Sequence, residues 1–171
     1  MKYIFSVILS LAAASCSSAY LVNDTVKPFE TGKYMGRWYE IERLPNKYED
    51  GLEECTSLFT LMDDGSFIVV NEGRLISDRT RIKQWKGKGM VPDKTYPSKM
   101  KISFNWPFSE DYWVFKIDGD YTMALVGSPS GDALWIIARD KDLDPRVILD
   151  FKNYAAKLGF PVKLMFRSLA Y

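Results

Sequence analysis

From Gly36 onward the chain is written in short runs that alternate apolar and polar residues, each ended by turn-forming residues after roughly eight to twelve positions. Alternation with a period of two puts one face of a run toward a core and the other toward water, which a strand can use and a helix cannot. Runs at 38–43, 55–62, 66–71, 80–90, 99–104, 112–117, 121–126 and 134–139 give eight predicted strands. Asp63-Asp64-Gly65 is a hairpin signal between the second and third, while Asp118-Gly119 and the Pro129–Asp132 segment supply later turns. One segment breaks the pattern. Asp144 is a good N-cap, Pro145 fits the first helical position, and Gly159 with Pro161 marks a stop. Between them Val147, Ile148, Phe151, Ala155 and Leu158 share one helical face. The predicted fold is all-β: an eight-stranded antiparallel up-and-down barrel, one C-terminal α-helix packed outside, and a short final strand at 162–166. A barrel of this size abolishes sheet edges and either holds one small ligand or is filled by its own side chains.

Lysines mark the outer faces, because their ammonium groups stay in water. With Lys99 and Lys101 outside, Met100, Ile102 and Phe104 point in. With Lys116 outside, strict alternation sends Trp113, Phe115 and Ile117 in. Lys86 and Lys88 leave Trp85, Gly87 and Gly89 inside, and counting back by twos from Arg139 gives Ile137 and Trp135. Phe59, Leu61, Phe67 and Val69 are the inward residues of the first hairpin. The expected ligand-cavity wall is therefore Phe59, Phe67, Val69, Trp85, Phe104, Trp113, Phe115 and Trp135. Gly87, Gly89 and Ser57 on inward positions leave volume for a guest. On the first strand an inward Trp38 also sends Glu40 and Glu42 inward, unless a bulge turns them out; a buried Glu40 needs a partner, for which Arg139 is the obvious candidate.

Composition narrows the chemistry. The 171 residues include 23 basic and 22 acidic side chains, so no broad field points to nucleic acid. Histidine is absent, which excludes Ser-His-Asp and Cys-His catalysis within the chain and the commonest ligand of catalytic zinc. No catalytic residue, metal site or cofactor is expected. Five Trp, ten Tyr and ten Phe demand either a large core or a surface built of rings. Two alternatives remain: a thiol-dependent enzyme or scavenger using Cys55, and a surface interaction protein whose barrel is filled. Glu53 and Glu54 beside Cys55 raise a thiol pKa, against the first.

The first residues form a leader. Lys2 precedes an apolar run from Ile4 to Ala14, too short to cross a bilayer, and Ala13-Ala14-Ser15-Cys16 resembles a bacterial lipobox. The expected divisions are a lipoprotein signal peptide at 1–15, a lipid-anchored tether at 16–30 and the folded domain at 31–171. Cys16 would carry acyl chains such as palmitate and leave Cys55 without a partner.

Gly36-Arg37-Trp38 resembles the first signature of the lipocalins. Asp120-Tyr121 is similar to their second, with Gly119 in place of its threonine, and Leu134–Arg139 is similar to the third. Gly51-Leu52-Glu53, Asp63–Gly65, Asn71 with Gly73, and Ala124–Val126 bring the resemblance toward the bacterial outer-membrane (Blc-type) branch and apolipoprotein D. The resemblance implies a structural floor of Gly36, Trp38 and Arg139, with the guanidinium across the indole. It also implies reversible capture of a fatty acid or lysophospholipid, at the periplasmic face of the outer membrane and through an N-terminal lipid anchor, with a homodimer as one possible assembly.

Overall fold

A computed structural model describes residues 24–168; the expected signal peptide and the lipidation site Cys16 fall outside the described residues. Eight antiparallel strands follow one another around the barrel: β1 (Gly36–Arg43), β2 (Leu52–Leu61), β3 (Phe67–Leu75), β4 (Asp78–Met90), β5 (Lys99–Asn105), β6 (Phe108–Ile117), β7 (Met123–Gly127) and β8 (Leu134–Ala138). β1 closes the ring by pairing with β8 on one side and β2 on the other. The turns lie where their chemistry requires. At the β2–β3 hairpin Gly65 has φ of +80°, and the Asp64 carboxylate accepts from the Ser66 amide at 2.9 Å.

Before the barrel, a single helical turn, α1 (Thr31–Tyr34), lies beneath it. Phe29 is already buried there and the Val26 amide donates to Val114, so the packed body reaches upstream of residue 31. After the barrel comes α2 (Pro145–Lys157), with Asp144 accepting from the Arg146 amide and Gly159, at φ +92°, following its end. The expected strand at 162–166 is mostly a 3-10 turn, Val162–Leu164; the ninth strand, β9 (Phe166–Arg167), comes just after it and pairs with the upper half of β1. Ser168 then bridges β1 and β2, donating to Ile41 and accepting from Glu54 through its backbone.

Two apolar cores result. Inside the lower barrel, Tyr34, Trp38, Phe59, Phe67, Met100 and Val114 pack together. Outside it, Ile148, Phe151 and Ala155 of α2 cover Ile41, Phe115, Leu125, Leu134 and Ile136. All five residues of β7 are buried, because this strand faces one core on each side.

Candidate functional site

The lower end of the barrel is sealed. Gly36 has φ of +96°, and a Cβ there would lie 3.2 Å from an Arg139 nitrogen. Trp38 is fully buried and donates from its indole to the Tyr34 carbonyl at 2.8 Å. The Arg139 guanidinium lies 3.7 Å from the centre of the Trp38 ring. Its nitrogens also donate to the carbonyls of Lys33, Tyr34, Met35, Arg37 and Tyr121. One side chain thus ties α1, β1 and the turn before β7 across the base. Above it a layer of rings continues through Tyr34, Phe59 and Tyr112, with the Tyr34 and Tyr112 hydroxyls 2.6 Å apart.

Over this floor the barrel is hollow. A cavity of about 1010 Å³ opens at the opposite end, a size at the upper range of small-molecule sites. Its wall includes Phe59, Val69, Trp85, Ile102, Phe104, Tyr112, Val126, Trp135 and Ile137, and Pro45–Glu49 from the β1–β2 loop line its mouth. Asn46 shapes that loop, accepting from the amides of Tyr48 and Glu49. The Tyr48 hydroxyl donates to Glu110 of β6, joining the loop to another part of the rim and pushing the phenol up to about 12.

An ionic corner interrupts the apolar wall. Arg43, Glu40 and Glu49 are all buried. Arg43 donates from one nitrogen to Glu40 at 2.5 Å and Ser168 Oγ at 2.8 Å, and from the other to the carbonyls of Glu49 and Leu52, each at 2.9 Å. Glu49 accepts from the Trp135 indole at 2.8 Å and from Asn46 at 2.9 Å. Burial, reinforced by Glu49 and opposed by Arg43, pushes the Glu40 carboxyl up to about 8. The same surroundings act on Cys55: burial first, then Glu40 and Glu49, push its thiol well above the ordinary range. Oxygens of both carboxylates and the Cys55 sulfur lie within 4.8 Å of one another, but Arg43 holds the positive charge of that cluster.

Of the residues expected to wall the cavity, Phe59, Val69, Trp85, Phe104 and Trp135 do line it. Phe67 is buried inside the barrel, but its ring lies against Gly89 and belongs to the packed floor. Trp113 and Phe115 are a correction. Both face the outer core beneath α2, and Tyr112 and Val114 take the inward positions. The cause is a register shift between Val114 and Lys116, which lets Phe115 and Lys116 both face outward. A second bulge, between Glu40 and Glu42, keeps Glu40 inside, turns Glu42 out to Lys152 at 2.6 Å and brings Arg43 in. Glu40 is therefore paired with Arg43, not Arg139. The volume beside Gly87 and Gly89 is likewise not free, since the Phe104 and Phe67 rings occupy it. Leu61 lies half-exposed at the end of β2. Arg43, Asn46, Glu49, Asn71 and Tyr112 lie outside the expected wall; Asn71 continues the inward alternation of Phe67 and Val69, and Tyr112 opens the aromatic-rich 112–117 run whose phase the bulge inverts.

Residues 29–169 match the lipocalin-like domain family. The outer membrane lipoprotein Blc of Escherichia coli K12 is 36% identical over 137 residues, covering 80% of this chain and 77% of that protein. Apolipoprotein D of Macaca fascicularis is 33% identical over 146 residues, covering 80% and 75%. Among solved structures, insecticyanin from the tobacco hornworm Manduca sexta superposes with a TM-score of 0.69 at 18% identity, covering 86% of this chain and 84% of that one.

Proposed function

The chain belongs to the lipocalin family, and from that premise we propose that it binds a single-chain amphiphilic lipid, of the fatty-acid or lysophospholipid kind, inside its barrel. One observation carries the reading: the cavity of about 1010 Å³ walled by aromatic and branched side chains above a sealed floor. A 14-carbon chain brings on the order of 11 kcal/mol from burying its methylenes at about 0.8 kcal/mol each. Ordering and immobilisation oppose this by roughly 4 kcal/mol or more, which leaves about 7 kcal/mol or less, a dissociation constant in the micromolar range. No bond need be made or broken. The raised thiol of Cys55, buried beside two carboxylates, favours this over thiol chemistry.

The location follows the relatives. Blc proteins of Escherichia coli and Vibrio cholerae are named outer membrane lipoproteins, and with the lipobox-like Ala13–Cys16 this supports a protein anchored through Cys16 at the periplasmic face of the outer membrane. Storage or transport of membrane-derived lipid is the role proposed there. The test is to purify the full-length protein, extract it with organic solvent and identify bound lipid by mass spectrometry. A stoichiometric single-chain lipid is expected; its absence, together with no saturable uptake of added fatty acid or lysophospholipid, would overturn the reading.

A further inference from the structure

A cavity's shape admits many amphiphiles, and its charges choose among them. The carboxylates on the wall and rim are Glu40, Glu49, Glu110, Asp111 and Asp132, against two lysines, Lys47 and Lys83. Arg43 pairs with Glu40 and Lys101 with Asp111 at 3.0 Å, so the negative charge offered to a guest is concentrated at Glu110 and Asp132 on the rim. The strongest interior cation, Arg43, is not available to a guest. Its two terminal nitrogens are committed to Glu40, Ser168 and two backbone carbonyls, and its Nε lies 3.8 Å from Glu49. It does not line the cavity, and its guanidinium stacks 4.8 Å from the Phe166 ring. In neither protonation state does Glu40 supply a cation to an incoming anion. The Asn71 side-chain oxygen, also on the cavity wall, is buried without a hydrogen-bond partner and calls for a donor.

The two lysines show what the rings of this site accept. The Lys47 and Lys83 ammonium groups lie over the rings of Tyr48 and Trp85, 5.1 and 5.6 Å from their centres. We propose that the cavity selects single-chain amphiphiles carrying an ammonium head, held by the rim carboxylates and the aromatic faces, and discriminates against the free carboxylate of a fatty acid. The proposal rests on the binding reading above and narrows it to one side of the head-group choice.

The experiment compares three probes of equal chain length with the full-length protein near neutral pH, each below its micellar concentration. Tetradecylammonium, 1-monotetradecanoylglycerol and tetradecanoate are titrated by quenching of tryptophan fluorescence. The ammonium probe is expected to bind roughly tenfold or more tighter than the carboxylate, with the neutral probe between them. Added salt should narrow the gap, because the rim carboxylates are open to solvent. Glu110→Gln should narrow the ratio of ammonium to carboxylate affinity by roughly threefold. Equal binding of all three, or tightest binding of tetradecanoate, overturns the charge selection and leaves the cavity reading standing. Binding of none overturns both.

Discussion

Glu40 carries its charge problem in two directions at once: it is almost wholly buried, and it has both Arg43 and Glu49 for neighbours. Its carboxyl, ordinarily near 4.5, is held up to about 8 in the fold. The folded protein therefore binds a proton that the unfolded chain releases between those two values. The stability this lends is complete below 4.5 and is lost as pH rises through about 8. The unfolding free energy from denaturant titrations should fall between about pH 5 and 8 by on the order of 1 kcal/mol or more, and Glu40→Gln should flatten that slope. Arg139 poses the opposite case, a cation with every contact made by carbonyls and one indole face. Arg139→Ala should destabilise by roughly 2–4 kcal/mol, from a lost cation–π contact and several charged hydrogen bonds, measurable by urea unfolding. Trp38 and Arg139 were readable from the sequence because both sit in motifs. Glu40's partner was not, since Arg43 reaches it only through a bulge that leaves no composition signal.

At the scale of elements, alternation located all eight strands and the capped helix, because each bears a periodic apolar face. What it could not supply was phase across an irregularity. A single extra residue in β6 moved Trp113 and Phe115 from the cavity to the helix interface, and nothing in Tyr112–Ile117 marks where that residue sits. Strand β4 shows the reverse, where a sequence feature was seen and its use misread. A Cβ on Gly89 would lie 2.1 Å from the Phe67 ring, so the glycine admits a ring to the core. Gly89→Ala should cost roughly 1–3 kcal/mol or more through overpacking, and a smaller residue at Phe67 should recover part of it in a double-mutant cycle. In α2, Phe151→Ala should cost about 3–5 kcal/mol by emptying the outer core, while the cavity keeps its wall.

The whole molecule separates these cores by one layer of sheet, which makes paired substitutions informative. Trp135→Glu places a charge on the cavity wall and should weaken lipid binding at least roughly tenfold, whereas Trp113→Glu on the outer face should leave affinity near its original value. Fluorescence titration with circular dichroism to confirm folding decides both, and a ligand present at about a hundred times its Kd should add roughly 2.7 kcal/mol to stability.

The barrel also has a direction. The chain enters beneath the floor, where Val26, Phe29 and α1 pack, and the Pro45–Glu49 rim lies at the far end of β1. Attachment through residues upstream of 24 would moor the protein by its sealed base, like a cup fixed by its foot. Cargo would then pass at a distance from the point of mooring, toward whatever stands across the intervening space, and lipid from the mooring bilayer itself could enter only if the cup tipped over.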